Sequence, residues 1–557
     1  MPDYNDYPLV IENLNFKYRN RSELAIKNIS LKVGRGEILL IAGASGCGKT
    51  TLARCINGLI PRSYKGDVSG KILLEGRGVA DLPLARISQI VATVLQDPER
   101  QILGTRVVNE VAFGLENLGK SRPEIITTVD EVLGRLGILQ LRDRETFSLS
   151  GGEKQKVALA GVLAMNPHIL MLDEPLASLD PASAEDTLFI VRRLADEGMT
   201  VLMVEHRVED VLKIRPDRIL FMQEGEIRYL GSLDGLEKAV DYHEVKLPAP
   251  MIMRMAAGDP PPVEIKPLEA LGTETAPKAL VQFRNVSFGY ESDQEVLHGI
   301  NLEINEGDVI AILGPNGTGK TTLVKHAIGL LKPRSGQVLV EGKDTREISV
   351  AQIASTLGYV FQSPSHMLFA PTVQDELRFG PTNLKHPPEL IDTEVANALS
   401  IVHLTGTEQI PPLSMSFGQQ KRVSIAAILA MQSKILVMDE PTAGQDYQNY
   451  VSFMESILQL PSFKAVLFIT HDVDLAAVYA NRILLVKRGQ VVADGSPASV
   501  LKDFERLRDC RVIPTSLLQA NLELLPRTGR FMRAEALAHL PPASDADVPV
   551  SIKGALN

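Results

Sequence analysis

Gly43-Ala44-Ser45-Gly46-Cys47-Gly48-Lys49-Thr50, followed by Thr51, and Gly314-Pro315-Asn316-Gly317-Thr318-Gly319-Lys320-Thr321, followed by Thr322, are two copies of one pattern, G-x-x-x-x-G-K-[ST]. Such a stretch is a phosphate-binding loop when it joins a strand to a helix. Both copies meet that condition: the apolar runs Ile38-Leu39-Leu40-Ile41 and Val309-Ile310-Ala311-Ile312-Leu313 precede them, and helix-like stretches follow. The glycines let backbone N–H groups turn inward around phosphate oxygens, and the helix N-terminus adds partial positive charge. Lys49 and Lys320 then reach the β/γ-phosphates, while Thr50 and Thr321 are placed to ligate Mg²⁺. Residues 43–51 and 314–322 are therefore candidate phosphate ligands.

The duplication extends well beyond these loops. Residues 9–18, Leu-Val-Ile-Glu-Asn-Leu-Asn-Phe-Lys-Tyr, predict an early strand and return as residues 280–290, ending in Phe288-Gly289-Tyr290. Lys49 and Lys320 stand 271 residues apart. Gln96 and Gln362, Ser150 and Ser416, and Glu174 and Glu440 each stand 266 apart, and His206 and His471 stand 265 apart. Order and spacing are kept, so the chain is a tandem array of two similar domains, residues 1–245 and 279–515. Between them, residues 246–278 carry Pro248, Pro250, Pro260, Pro261, Pro262, Pro267 and Pro277 with little periodicity. That composition predicts a linker, extended where the prolines cluster. The tail, residues 516–557, has no counterpart after the first half. Its last part, Pro541 to Asp547, predicts disorder, and no function is assigned to it.

Four further motifs recur in order. Gln96 and Gln362 each end an apolar run, Val94-Leu95 and Val360-Phe361, and are candidate ligands for Mg²⁺ or water. A lone glutamine there would be a strand terminus; its recurrence argues for more. Ser150-Gly151-Gly152-Glu153 and Ser416-Phe417-Gly418-Gln419 each open a helical pattern, which makes either an N-cap or an anion-binding helix start. The runs Ile169-Leu170-Met171-Leu172 and Ile435-Leu436-Val437-Met438 end in Asp173-Glu174 and Asp439-Glu440. Apolar residues followed by acids suit a buried parallel strand with carboxylates at its C-terminal edge, where α/β ligand sites form. The first acid can hold Mg²⁺ through water, and the second can orient an attacking water. Two more strands end in His206 and His471, candidates for a γ-phosphate contact.

Together these motifs resemble the ATP-binding cassette (ABC) ATPases: Walker A, glutamine loop, signature, Walker B with glutamate, and switch histidine, all present twice. The resemblance implies an α/β fold of two tandem P-loop NTPase nucleotide-binding domains, each with an antiparallel β subdomain and a helical subdomain. It implies ATP and Mg²⁺ as cofactors, and Tyr18 and Tyr290 as the aromatics that stack on adenine. It assigns Glu174, His206, Glu440 and His471 to catalysis. It assigns Thr50, Gln96, Asp173, Thr321, Gln362 and Asp439 to the metal, and Ser150, Gly151, Gly152, Ser416 and Gly418 to ATP contacts across a head-to-tail cassette pair. Carried over, Lys49 pairs with Ser416 and Lys320 with Ser150 within one polypeptide. Gln96 to Gln101 and Thr105 to Asn117, with a looser copy from Gln362 to Gly380, further resemble energy-coupling-factor importer ATPases. Those work with a transmembrane coupling protein and a substrate-binding membrane protein on separate chains, for vitamins, their precursors or Ni²⁺/Co²⁺. Two departures stand out. Phe417 replaces the usual glycine and resists positive φ, which implies ATP binding with slower hydrolysis where that signature acts. Ser178-Leu179-Asp180 fits the family's D-loop, whereas Gly444-Gln445-Asp446 has Gln for Leu. The two sites are expected to be unequal.

The bulk numbers agree with this organisation. A chain of 557 residues exceeds one hydrophobic core. A net charge of −10 points away from nucleic acid as the partner. Cys47, Cys55 and Cys510 show no metal-ligand spacing and suit a reducing cytosol. No stretch offers the ~20 apolar residues of a membrane span, and the N-terminus lacks a signal-peptide pattern. The expectation is a peripheral protein on the cytoplasmic face of the membrane. The competing readings are a soluble tandem cassette ATPase acting on ribosomes or nucleic acid, and the fused ATPase of a sugar or peptide importer.

Overall fold

The computed structural model describes residues 6–177, 179–262, 278–291, 294–441, 447–460 and 462–541. Each half is built on a six-stranded, mostly parallel sheet. In the first half the strand order is Glu226–Gly231, Arg218–Gln223, Ile38–Ala42, Thr200–Val204, Ile169–Asp173 and Val91–Val94, with Glu226–Gly231 antiparallel at its edge. The second half repeats this with Gln490–Gly495, Arg482–Lys487, Val309–Leu313, Ala465–Ile469, Ile435–Asp439 and Leu357–Val360. The central strands are apolar along their whole length because both faces of the parallel sheet are buried, one under helices and the other in a core shared with the antiparallel sheet and the helix after the phosphate loop. Beside each lies a four-stranded antiparallel sheet containing Leu9–Tyr18 or Ala279–Phe288. Helical pieces, Val107–Asn117 with Arg122–Arg135 and Val373–Asn383 with Pro388–Ile401, pack against the helices Gly151–Leu163 and Phe417–Ala430. The expected α/β tandem with β and helical subdomains is the observed architecture.

Strand register decides where the chemistry falls. Ile41 pairs with Val204, and Asp173 also pairs with Val204, so three neighbouring strands stop at one edge. Chain reversal there takes the Glu174 N–H to Val204 O (2.9 Å) and the Glu205 N–H to Ile41 O (3.1 Å). Gly43 starts the phosphate loop at φ 145°, and a Cβ on it would lie 2.3 Å from Met222 O. No other residue fits.

The stretch read as an extended linker differs from expectation. Residues 246–262 are described, and Ala249–Ala256 is a helix whose Ala249, Met251, Ile252 and Ala256 join the core of the first half. Pro248 and Pro250 sit at its start, where a missing N–H costs nothing. Residues 263–277 lie outside the described residues. In the tail, where disorder was expected only from Pro541 on, Ser516–Thr528 and Ala534–Leu537 are helices. Leu517, Ala534 and Leu537 bury into the first half's core, Leu518 and Phe531 into the second's. The tail thus contributes apolar side chains to both halves at once. The segment predicted to be disordered, beyond Pro541, lies outside the described residues.

Candidate functional site

Two cavities open at the C-terminal edges of the two sheets. The first, about 1610 Å³, is lined by Tyr18, Ser45, Gly46, Gly48, Lys49, Thr50, Thr51, Glu174 and His206. The second, about 470 Å³, is lined by Tyr290, Asn316, Gly317, Thr318, Gly319, Lys320, Thr321, Thr322, Gln362, Asp439, Glu440 and His471. It is narrower, and Ala177 of the first cassette forms part of its wall. In each loop the buried lysine folds back on its own backbone: Lys49 Nζ donates to Gly43 O (2.7 Å) and Ala44 O (2.8 Å), and Lys320 Nζ to Gly314 O (2.7 Å) and Pro315 O (2.8 Å). Cys47 is buried against the same turn, which its thiol fills as a small apolar group. The hydroxyls of Tyr18 and Tyr290 lie 3.1 and 3.3 Å from Thr51 and Thr322, so each ring is tethered beside its loop.

The acidic edges of the two halves are wired differently. Glu174 and Glu440 both hold left-handed backbone, φ 49° and 46°, a conformation that costs a non-glycine residue about 1 kcal/mol or more. In the first half Gln96 Nε2 donates to Glu174 Oε2 (2.8 Å), and His206 Nε2 lies 2.7 Å from Glu174 Oε1. His206 Nδ1 faces Gly43 O at 3.1 Å, which only an N–H can satisfy. Glu174 is thus held on both of its carboxylate oxygens by side chains from two other segments of the first half. In the second half His471 Nε2 donates instead to Asn316 Oδ1 (2.8 Å), with Glu440 Oε1 at 3.3 Å. Burial, with the charges of Lys320 and Arg207, holds the His471 imidazolium far below the ordinary range, so this ring is neutral. Burial also raises the Glu440 carboxyl.

The metal fit follows from the remaining donors. Burial and the charge of Glu174 push Asp173 up to about 6, and its buried Oδ1 has no hydrogen-bond partner among the described residues. An orphaned carboxylate oxygen near a threonine hydroxyl is what a divalent cation on a phosphate would use. In the second half Asp439 Oδ2 accepts from Thr321 Oγ1 (3.1 Å) and Tyr359 OH (2.9 Å). Among the described residues no three-acid cage exists. The set fits Mg²⁺ held partly by phosphate oxygens.

The signature residues fall elsewhere. Ser150 and Ser416 each close a capping box with Glu153 or Gln419 at the start of their helices, and with Gly151, Gly152 and Gly418 they line neither cavity. The expected pairings of Lys49 with Ser416 and Lys320 with Ser150 are not seen in these cavities; the serine hydroxyls are engaged locally. What reaches across is the turn through Ala177, with Asp180 close enough for its charge to act on Lys320. Phe417 begins its helix as Gly151 does. Its backbone is helical, so the expected conflict with positive φ does not arise. Of the D-loop residues, Ser178, Gly444, Gln445 and Asp446 lie outside the described residues.

Glu205, Tyr359, Lys421 and Ala177 were not singled out from the sequence. Tyr359 is on a strand whose first-half counterpart is Thr93, so the repeat itself carried no hint of it. Glu205 is buried, and both its oxygens accept backbone N–H groups, from Leu176 (2.9 Å) and His206 (3.2 Å). Burial and the charge of Glu174 push its carboxyl up from 4.5 to about 7. The folded state thus keeps a proton that the unfolded chain loses. This contribution to stability is full below the unfolded value and lost as pH rises through about 7. Between about pH 6 and pH 8 the wild type is expected to lose about 1 kcal/mol relative to Glu205→Gln. Thermal melts of both proteins across that range check it, and a pH-independent difference would place the titration elsewhere.

The chain matches the sequence family described as ABC transporter over residues 26–177 and 297–443. It is 36% identical over 554 residues to a protein of Caldanaerobacter subterraneus subsp. tengcongensis, covering 93% of this chain and 97% of that one. A Methanosarcina mazei protein is 34% identical, with 94% and 95% covered, and one from Vibrio vulnificus is 33% identical, with 94% and 96% covered. All three are named, by inference, as ABC transporter ATP-binding proteins. Among solved structures, CbiO1 from Clostridium perfringens, part of the ABC transporter complex CbiONQ, is 31% identical, with a TM-score of 0.39, over 45% of this chain and 96% of that one.

Proposed function

The chain belongs to the ABC transporter ATPase family, whose members bind and hydrolyse ATP, and from that premise we propose that it powers a membrane importer of the energy-coupling-factor type. It would act at the cytoplasmic face, with residues 1–245 and 279–515 as its cassettes, and carry a vitamin, a vitamin precursor or Ni²⁺/Co²⁺ through separate membrane chains. Among the described residues no helix is long and apolar enough to cross a membrane, so spanning falls to partners.

One observation carries the membrane partner. Large apolar side chains are exposed at equivalent places of both helical subdomains: Leu103 and Phe369, Phe113 and Phe379, Phe147 and Leu413, each between 47% and 73% exposed. Within each pair the spacing is again 266 residues. Phe369 and Phe379 stack edge to face at 4.8 Å, and Thr146, beside Phe147, bonds to Gly104, next to Leu103. A single exposed phenylalanine needs no explanation, whereas the same apolar face displayed twice marks a surface that expects company. These faces flank the stretch after Gln96 that resembles the importer ATPases.

In this reading hydrolysis is phosphoryl transfer to water. Lys49 and Lys320 turn from their own loop carbonyls to the β/γ-phosphates, and Glu174 and Glu440 orient the attacking water. His206 and His471 contact the γ-phosphate, and Tyr18 and Tyr290 support the base. Thr50, Asp173 and Gln96, with Thr321, Asp439 and Gln362, would hold Mg²⁺, which would supply charge neutralisation on the phosphates. Positioning and electrostatics provide the rate.

Affinity purification from detergent-solubilised native membranes, followed by mass spectrometry, tests the proposal. A helical coupling protein and a small membrane protein are expected with the wild type, and both are expected to be lost from a Phe113→Asp/Phe379→Asp variant that still binds ATP. Recovery of ribosomal or nucleic-acid proteins, with none from the membrane, would overturn the reading in favour of a soluble machine.

A further inference from the structure

The helices Gly151–Leu163 and Phe417–Ala430 are the same element of the two halves, yet they bury different groups at the same place. Five residues after each capping serine stand Gln155 and Lys421, 2% and 0% exposed. Lys421 Nζ reaches Glu440 O at 3.3 Å and also donates to Pro441 O, while the Phe453 ring lies 6.0 Å away. Burying an amine costs more than burying a neutral amide, and burial lowers the pKa of this one to about 7 against the opposing charge of Glu440. Since an amide fills this position in the first half, space-filling does not explain the lysine. Its target does. Both carbonyls belong to the turn that carries Glu440, a turn held in left-handed backbone. The charged groups around that carboxylate are Lys320, Asp439 and Lys421 itself.

We propose that Lys421 is a positioning residue of the second site: its Nζ clamps the Glu440–Pro441 turn to the signature helix and so aims the Glu440 side chain at the Lys320 loop. The inference rests on reading Glu440 as the water-orienting carboxylate and deepens it. Gln155 offers one amide where Lys421 donates to two carbonyls, and among the described residues the first half shows no equivalent clamp. Its glutamate is instead held through the side chains of Gln96 and His206.

The test uses the full chain with Glu174→Gln, so that remaining hydrolysis belongs to the second site. Lys421→Gln installs the residue the first half already accommodates, and Lys421→Met keeps length without charge. Both are expected to lower kcat by about tenfold or more while KM for Mg-ATP and affinity for a non-hydrolysable ATP analogue stay within about twofold. An unchanged kcat in Lys421→Gln would overturn the clamp, as would a parallel loss of kcat and analogue binding, which marks a merely structural role. Should Lys421→Met fail to fold, Lys421→Gln alone decides between these outcomes. A Glu174→Gln/Glu440→Gln protein measures the premise separately. If it hydrolyses ATP as fast as Glu174→Gln alone, the reading of Glu440 falls and the clamp falls with it.

Discussion

Glu174→Gln is expected to lower steady-state ATP hydrolysis by at least about tenfold, and Glu440→Gln by less than about twofold. The ranking comes from how each carboxylate is held. Both oxygens of Glu174 are engaged from the side, by Gln96 at 2.8 Å and by His206 at 2.7 Å. A glutamine at 174 cannot accept on both sides, so the water-orienting group and its alignment are lost together. Removing such a group costs about 10²–10⁴ in the turnover of its own site, and the second site's turnover then sets the floor. Glu440 starts from a weaker position: burial favours its neutral form, and His471 donates to Asn316. Separate measurements of ATP turnover and of ATP-analogue binding check the prediction, since binding is expected to survive in both variants. Equal losses would count against asymmetry. The opposite ranking would mean that the Phe417 signature, which the head-to-tail pairing would bring to the Lys49 loop, limits the first site despite its helical backbone.

Much of this site was legible because its parts are local. A phosphate loop needs its glycines, lysine and threonine within a few residues, and Gly43 and Gly314 cannot be replaced without striking a neighbouring carbonyl. Walker B was legible because four buried apolar residues followed by two acids can be little else in a parallel sheet. The duplication then served as an internal control, raising each weak motif above chance. What escaped was long-range. The clamp of Lys421 on Pro441 joins a helix to a strand end 20 residues on, and no periodicity marks it. The proline-rich stretch misled because three adjacent prolines, Pro260 to Pro262, outweighed a short helix just before them, whose own prolines sit at its permissive first turn. The tail's helix Ser516–Thr528 went unread because, having no copy, it gained nothing from the repeat, although Thr515 caps it and Leu517 and Leu518 bury on either side.

Those two segments meet at one buried charge, and Lys246→Met is expected to destabilise the protein by about 3 kcal/mol or more. Lys246 Nζ lies 3.0 Å from both oxygens of Asp472 and 2.7 Å from Asp474 Oδ2. Burial opposes its charge, but Asp472, Asp474 and Glu209 hold the ammonium above the ordinary lysine range. The tail closes the cluster: Glu209 Oε1 accepts from Ser516 N–H (2.9 Å), Ser516 Oγ from Ala249 N–H (2.8 Å), and Asp474 from Thr515 Oγ1. A single lysine thus neutralises acids from both cassettes and fixes the tail between them. Removing it leaves Glu209 and Asp474 without that cation and Asp472 with the charge of Arg207 alone, all away from water, which costs more than the pair ever contributed. Calorimetry of Lys246→Met is expected to show an earlier onset and separate unfolding of the two halves. A variant within about 1 kcal/mol of wild type would show that solvent reaches the cluster and screens it. Asp474→Asn is expected to lose less, because Lys246 and Asp472 remain paired. The consequence reaches the ATP sites, since Asp472 follows His471 and Arg207 follows His206. Loosening this clasp frees both strand ends on which His206 and His471, the proposed γ-phosphate contacts, stand, so ATP turnover in Lys246→Met should fall at temperatures where both halves are still folded.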